Sequence, residues 1–217
     1  MARFTRGFDT EAAFEHLARR DRKLGVWMRR IGPIPPDPDW RGAFDPVDAL
    51  ARSILHQQLS GKAARSIEAR VDAATGGRLH CDTLARLDDA QLRACGVSAN
   101  KVLALRDLAR REAAGEIPSL RQMATMEDAA IIAALVPTRG IGRWTVEMML
   151  MFRLGRPDVL PVDDLGVRKG AQLLDRRDAM PTPRELAERG QRWGPYRSYA
   201  GFYLWRIVDA ATAAKGG

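Results

Sequence analysis

The sequence predicts an all-α protein, on two observations. Apolar residues recur three and four positions apart over most of the chain, as on one face of a helix. Few segments alternate between apolar and polar residues with turn signals at both ends, so no substantial sheet is expected. The helical pattern covers Thr10–Met28, Pro46–Ala74, Asp88–Ala113, Met126–Val136, Arg143–Leu154 and Arg184–Trp193.

Capping residues and glycines mark several ends of these helices. Thr10 with Glu11 and Asp45 with Pro46 are typical of helix starts, whereas Gly76 with Gly77 and Gly115 are typical of helix ends. A proline-rich break, GPIPPDPDW, runs from Gly32 to Trp40 and is placed to join two lobes. We expect one compact unit over residues 1–217, with approximate lobes of residues 46–158 and of residues 1–45 together with 159–217.

The composition favours a soluble protein with a polyanionic partner. The 217 residues carry a net charge of +8, and the isoelectric point is near 10.2, which fits nucleic acid binding. Arginine-rich helix faces in solvent would give the same charge. No apolar run is long enough to span a membrane and the N-terminus lacks a secretory apolar segment, so we expect a cytoplasmic protein. Two cysteines are too few for a disulfide framework, a zinc cage or a four-cysteine iron–sulfur cluster.

A glycine hairpin stands between two helical patterns. Gly140 and Gly142 flank Ile141 directly before a helix that begins near Arg143. Glycines let backbone N–H groups approach a ligand, and a helix N-terminus favours an anion, so this turn is suited to one DNA phosphate. We expect Ile141 to pack inward and the Thr145 hydroxyl to add a contact. An ordinary tight helix–helix turn explains the glycines equally well.

An aspartate pair opens the next helix. Pro161 ends an extended segment, and Asp163 and Asp164 precede a helical pattern toward Val167. One aspartate here is most simply an N-cap. Two allow a division of labour, with Asp163 capping the helix and Asp164 facing a cleft, where a carboxylate can stabilise positive charge or orient a water molecule. The spacing alone does not decide which aspartate has which role.

Together these motifs resemble the helix-hairpin-helix/Gly-Pro-Asp superfamily of DNA base-excision glycosylases. The resemblance begins with GIGRW (Gly140–Trp144) followed by PVDD (Pro161–Asp164). Three segments are similar to the DNA-3-methyladenine glycosylase II family: ILHQQLSGKAA (Ile54–Ala64), GRPDVLPVDDLGVR (Gly155–Arg168) and RWGPYRSYAGFYLW (Arg192–Trp205). The similarity extends from Asp45 to Val208, and the short chain resembles the compact form without an N-terminal β-rich domain.

The resemblance implies two helical lobes, a helix-hairpin-helix motif and an active-site cleft between the lobes. It implies an enzyme that binds double-stranded DNA containing alkylated bases such as 3-methyladenine, flips the base out and hydrolyses the N-glycosidic bond. Asp164 is then the catalytic carboxylate, and the product is an abasic site. We expect a monomer without cofactor or side-chain metal ligands, although hairpin backbone carbonyls can hold a monovalent or divalent ion in this superfamily.

Position 144 separates two kinds of enzyme within the superfamily. Members with lyase activity carry a lysine directly after the G-x-G-x unit, where it acts as the Schiff-base nucleophile. This chain has Trp144 there, and an indole forms no imine. The resemblance therefore implies a monofunctional glycosylase. Lys169 lies beyond Asp164, and we interpret it as a solvated helix residue.

Aromatic residues suit a pocket for a flipped, positively charged base. Trp144 and Met148 are spaced to share a helix face, and Trp205 lies in an aromatic C-terminal segment. Flat aromatic walls bind such a base by stacking and cation–π attraction. The resemblance places Trp144 and Trp205 at pocket walls, with Met148 where a better-known member has an aromatic residue. Without the resemblance, burial in the core is the usual explanation for such residues.

The gap left by a flipped base needs a side chain to fill it. The family supplies this wedge from the loop that matches His56–Ser60, and the aligned residue is Gln58, with Leu59 as the competing candidate.

Asn100 and Lys101 follow a second glycine-bearing turn, where they either contact a phosphate or belong to plain surface. Arg139, Arg143 and Arg197 near the motifs have the same two interpretations.

Two alternatives stand beside the alkylated-base glycosylase. One is a glycosylase for another lesion, such as an oxidised or deaminated base. The other is a non-catalytic DNA-binding module that keeps the hairpin only as a phosphate clamp. The Asp164 motif and the aromatic residues argue against the module, because a protein that only binds DNA needs neither.

Overall fold

The computed structural model describes residues 6–213, and every regular element in that range is helical. The all-α prediction is confirmed for this part of the chain. Thirteen α-helices and two short 3-10 helices follow one another along residues 6–213. The α-helices are α1 (Thr10–Arg20), α2 (Arg22–Ile31), α3 (Pro46–His56), α4 (Gly61–Thr75), α5 (Cys81–Ala85), α6 (Asp89–Ala94), α7 (Ala99–Ala113), α8 (Leu120–Met123), α9 (Asp128–Leu135), α10 (Arg143–Phe152), α11 (Leu165–Asp175), α12 (Pro183–Gly190) and α13 (Arg197–Ala213), and the 3-10 helices are Pro38–Trp40 and Gln191–Trp193.

Three of the long helical stretches expected from the periodicity are each divided in two. In each case the second helix begins directly after a capping residue in extended conformation. The side chain of Asp21 accepts a hydrogen bond from the Leu24 N–H and starts α2, and Ser60 and Ser98 start α4 and α7 in the same way. A side chain that satisfies an unpaired N–H stabilises a new helix start and so overrides a continuous apolar period.

The chain forms two compact units. The first comprises residues 43–146, and the second comprises residues 6–42 and 147–213. Helix α10 contributes residues to both units, because the boundary falls within it. The proline-rich segment from Gly32 to Trp40 belongs to the second unit and ends shortly before the first one begins. None of the helices in residues 6–213 is long and apolar enough to span a membrane.

The core of the first unit is built around α3, α7 and the hairpin that precedes α10. Leu50 and Ile54 of α3 and Leu105 and Leu108 of α7 are fully buried, and Ile141 of the hairpin is 4% exposed. Each fully buried aliphatic side chain of this size contributes about 1.5–3 kcal/mol to folding. The hairpin is therefore anchored to the main core of its unit.

In the second unit, α13 lies against α1, α2 and α11. Tyr199 and Tyr203 of α13 are fully buried, and their hydroxyls donate to the carbonyls of Ile34 and Gly32 at 2.9 Å each. Gly170 of α11 lies so close to the Leu204 backbone that a Cβ would clash with it. This contact brings the first turns of α11 next to α13.

Candidate active site

The two hairpin glycines differ in whether the fold requires them. Gly140 has a φ of +79°, and a Cβ there would lie 3.1 Å from the Cβ of Ala104 on α7. The fold itself therefore requires glycine at this position. A Cβ at Gly142 would meet no heavy atom within 4 Å among the described residues other than those of its chain neighbours. Packing thus does not demand Gly142, whose missing side chain leaves the surface open to an approaching ligand.

Hydrogen bonds and burial hold the hairpin rigid. The Arg139 N–H donates to Asp107 Oδ2 at 2.8 Å, and the Ile141 N–H donates to the Thr138 carbonyl at 3.0 Å. Burial alone would raise the pKa of Asp107, but the bonds from the Arg139 N–H, Arg110 and Arg111 lower it. Ile141 packs inward, as the sequence suggested.

Helix α10 starts directly after the hairpin. Arg143 and Trp144 are exposed on its first turn, Trp144 with 47% of its surface accessible, whereas Thr145 is buried. The N–H groups of a first helical turn have no intrahelical acceptor, and the aligned peptide dipoles add partial positive charge there. This end of α10 has the chemistry of an anion site.

The predicted wedge loop is short and fixed. It connects α3 to α4 through Gln57, Gln58, Leu59 and Ser60. Gln58 has a φ of +55°, a left-handed conformation that costs a non-glycine residue about 1–2 kcal/mol. The Gln57 side-chain amide donates to the Gly140 carbonyl at 2.8 Å. The loop is thereby bonded to the hairpin.

A cavity of about 600 Å³ joins the wedge loop and the hairpin within the first unit. Its lining residues are Ser53, His56, Gln57, Gln58, Gly140, Gly142, Trp144 and Thr145. The structure therefore brings Gln58 together with four of the predicted hairpin and pocket residues. Leu59, Ile141 and Arg143 are not among the lining residues, although Leu59 is 39% exposed.

His56 was assigned no role from the sequence, yet it lines this cavity. Its Nε2 lies 2.8 Å from Glu68 Oε2, and its side chain is 41% exposed. The signal that could have identified it is its position at the end of α3, inside the same loop motif as Gln58.

At the aspartate pair, the structure decides which residue caps the helix. Asp164, and not Asp163, is the N-cap of α11: its Oδ1 accepts from the Val167 N–H at 2.7 Å. Asp163 is exposed. An N-cap carboxylate must reach an N–H two or three residues along the chain, and Asp164 stands directly before the helix. The sequence left the cap open between the two aspartates, and the structure shows that Asp164 is the cap.

Asp164 also accepts a hydrogen bond from a tryptophan. The Trp205 indole N–H, on α13, donates to the same Oδ1 at 2.9 Å. A Cβ on Gly166 would lie 2.8 Å from Trp205 Cδ1 and 3.1 Å from Asp164 Oδ1. Glycine is therefore needed for the indole to reach the carboxylate. Sequence reasoning missed Gly166, although a glycine within the first turn of a helix signals a close approach.

Aromatic rings extend from Trp205. The ring of Phe152 stacks on it with centroids 5.7 Å apart, and that of Phe202 lies 6.2 Å away with a similar tilt. Phe152 is 37% exposed. Neither phenylalanine was predicted as a site residue, but Phe152 follows Met148 by one helical turn on α10, a spacing that identifies a shared face. Met148 is half-buried.

Two cations considered for phosphate contacts are engaged inside the protein. The Lys101 ammonium donates to the carbonyls of Leu55 and Gln57 at 2.7 and 2.8 Å, so it is not plain surface, and its contact with a phosphate stays a prediction. Arg197 makes a bidentate pair with Asp158 at 2.7 Å for each bond. Lys169 is exposed and donates to Gln172, in keeping with a solvated helix residue.

In residues 6–213, no group of three or more histidine, cysteine, aspartate or glutamate side chains is arranged to hold a metal ion. Cys81 and Cys95 are free thiols. An ion bound by hairpin carbonyls stays a prediction.

Comparison with known proteins assigns this arrangement to a family. The family model described as HhH-GPD superfamily base excision DNA repair protein matches residues 51–195 of this chain. DNA-3-methyladenine glycosylase 1 of Schizosaccharomyces pombe is 32% identical over 202 residues, which cover 92% of this chain and 88% of the relative. These matches confirm the resemblance inferred from the motifs.

Solved structures agree with the sequence relatives. The S. pombe 3-methyladenine DNA glycosylase in complex with abasic DNA superposes with a TM-score of 0.78 at 33% identity, covering 90% of this chain and 95% of that one. A DNA-3-methyladenine glycosidase from Bacillus halodurans gives a TM-score of 0.83 at 32% identity, covering 98% and 95%.

Proposed function

The chain belongs to the HhH-GPD superfamily of base excision DNA repair proteins, and we propose that it is a monofunctional DNA glycosylase that removes alkylated bases. The observation that carries the proposal is Asp164, which is fixed by a helix N-terminus and by the Trp205 indole beside stacked aromatic rings. A glycosylase needs a carboxylate that faces the sugar cation, whereas a protein that only binds DNA would use Asp164 for its N-cap alone.

The chemistry suits a base that already carries positive charge. A 3-methyladenine-like base is a good leaving group, so the N-glycosidic bond breaks toward an oxocarbenium-like sugar with little protonation of the base. Asp164 would stabilise that cation electrostatically while water adds at C1′. The base leaves with the bonding electron pair, and the product is free base and an abasic site. The positively charged ring of the base would stack on Trp205. Trp144 and Met148 stay predicted pocket residues.

The hairpin would hold the duplex through one phosphate. Gly142 leaves room for the phosphate oxygens, and the N-terminus of α10, with Arg143 and the Thr145 hydroxyl, supplies donors and positive charge. Such contacts fix position and do not read sequence. The net charge of +8 adds attraction that weakens with salt.

Gln58 is the better-supported wedge. It lines the cavity beside the hairpin, and its backbone is left-handed, which is uncommon for a residue other than glycine. Strained backbone of this kind persists where function needs it. A flat amide can stack in the gap left by the flipped base and bond to the orphaned partner base. Leu59 remains the rival candidate because it is adjacent and partly exposed.

The absence of lyase activity is proposed from Trp144. An indole has no amine to attack C1′, so no imine intermediate can form at this position. Lys169 is turned to solvent and bonded to Gln172, which does not suit a nucleophile. The monomeric state and the cytoplasmic location stay predictions.

The test is base release from methylated duplex DNA followed by chromatography of the supernatant. We expect free 3-methyladenine and strands that break only after alkali treatment. Binding without any released base would instead support the DNA-binding module. Release only from duplexes that contain hypoxanthine or 8-oxoguanine would support a glycosylase for another lesion. A covalent protein–DNA adduct trapped by borohydride would contradict the monofunctional assignment.

A further inference from the structure

One face of α7 contacts both the wedge loop and the hairpin. Lys101, Ala104 and Asp107 recur at intervals of three residues, which places them along one side of the helix. Lys101 donates to the wedge loop, Ala104 lies under Gly140, and Asp107 accepts from the Arg139 N–H. A single rigid helix thus supports two elements that are distant in sequence.

Lys101 is the contact that holds the wedge loop. Its ammonium lies 2.7 Å from the Leu55 carbonyl and 2.8 Å from the Gln57 carbonyl, at the C-terminus of α3. A cation there satisfies carbonyls that have no intrahelical donor and complements the negative end of the helix dipole. Burial lowers the pKa of Lys101, because a partly buried ammonium is less well hydrated than one in water.

Gln57 links the two supported elements directly. Its carbonyl accepts from Lys101, and its side-chain amide donates to the Gly140 carbonyl at 2.8 Å. Gln58 follows immediately with its positive φ. The residue before the strained position is therefore fixed at its backbone and at its side chain, which leaves the chain little freedom to relax out of the left-handed conformation.

We infer that α7 sets the register between the wedge and the phosphate hairpin, and that Lys101 is the positioning residue that presents Gln58 to the duplex. The inference rests on the proposed function, because it takes Gln58 as the side chain that fills the gap. A wedge works only if it enters the stack at a fixed distance from the phosphate held by the hairpin. Displacement by an ångström is enough to lose a productive geometry.

The test compares Lys101→Met with Lys62→Met in single-turnover base release. Lys62 is exposed on α4, near the same loop, and its substitution removes the same charge. Two duplexes carry the same alkylated base, one opposite its normal partner and the other opposite an abasic-site analogue. The second base is already unpaired, so extruding it needs less help from a wedge.

We expect Lys101→Met to slow release from the paired duplex about tenfold, the effect of losing hydrogen bonds from a charged donor. Release from the unpaired duplex should change less than about twofold, and Lys62→Met should leave the ratio of the two rates unchanged. In a Gln58→Ala background, Lys101→Met should slow base release by less than about twofold more, because both substitutions remove the wedging of the duplex by Gln58. An equal loss on both duplexes, or full additivity with Gln58→Ala, would overturn the inference.

Hydrogen exchange of the free protein separates this inference from the proposed function. In Lys101→Met, the amides of residues 57–60 should exchange at least about tenfold faster, with those of α13 unchanged. If the wild-type protein releases no base but the loop exchange rises, the proposed function fails and the positioning role stands. If exchange in the loop is unchanged, Lys101 does not position it.

Discussion

The phosphate hairpin and the acid site each use the N-terminus of a helix, but they fill that position differently. Before α10 stands Gly142, which brings no side chain and has open space where a Cβ would be. Before α11 stands Asp164, whose carboxylate caps the helix. In the proposed function, the electropositive end of α10 binds a phosphate of the substrate, whereas that of α11 holds the protein's own carboxylate.

In the first unit, we expect Gly142 to contribute to DNA binding and not to stability. In the second unit, we expect Asp164 to contribute both to catalysis and to stability. Substituting Gly142 removes nothing that the fold uses. Asp164 serves the fold as an N-cap and the proposed reaction as the charge that faces the sugar cation. Variants at the start of α10 should therefore lose DNA affinity, whereas variants at the start of α11 should lose the rate of base release.

The largest effect is expected for Asp164→Asn. Asparagine caps helices about as well as aspartate, so unfolding free energy should change by less than about 0.5 kcal/mol. The rate of base release should fall by about 10²–10³-fold because the stabilising charge is gone. Chemical denaturation and single-turnover kinetics measure the two quantities. Asp163→Asn is the matched control, and a comparable loss of activity there would show that the wrong aspartate has been assigned.

Trp205→Phe should have the next largest effect. It keeps an aromatic ring in the stack with Phe152 and removes the indole N–H that donates to Asp164 Oδ1. We expect kcat to fall about tenfold, as for other hydrogen bonds to a charged group, while DNA affinity is kept. Steady-state kinetics and fluorescence anisotropy check this, and unchanged kcat would mean that the indole does not orient the carboxylate.

Gly142→Ala should weaken DNA binding and leave the fold almost intact. The added methyl occupies the open approach to α10, and loss of about one phosphate hydrogen bond corresponds to an increase in Kd of about fivefold. Stability should fall by less than about 1 kcal/mol. Gly140→Ala is the contrasting variant, because its positive φ and the contact with Ala104 should cost stability. Equal melting temperatures for the two variants would contradict this distinction.

The smallest effect is expected at Gln58. Gln58→Gly relieves the left-handed strain at φ +55° and should raise the unfolding free energy by about 0.5–1 kcal/mol. It should also slow release of a paired lesion, since it removes the wedge. Leu59→Ala tests the rival: if Leu59→Ala slows paired release and Gln58→Gly does not, the wedge is Leu59.

The parts of the site that follow from local chemistry were predictable from the sequence. The hairpin glycines, the inward Ile141 and the helix starts at Pro46 and near Arg143 depend on neighbours in the chain, and the structure has them where the sequence placed them. The all-α class follows from the same local periodicity.

What escaped the sequence depends on contacts between distant segments. Lys101 binds carbonyls of α3, and Gly166 makes room for an indole on α13. No local pattern specifies such partners. The sequence also left open which of Asp163 and Asp164 is the cap, because the exact first residue of a helix is the least certain feature of a periodic pattern.

The most direct test of the account pairs Asp164→Asn with Gly142→Ala on one methylated duplex, measuring Kd and the single-turnover rate of base release at saturating protein. The account predicts that Asp164→Asn binds like the wild-type protein without releasing base at an appreciable rate, and that Gly142→Ala binds more weakly yet releases base at nearly the wild-type rate once saturated. Base release by Asp164→Asn at the wild-type rate would contradict it.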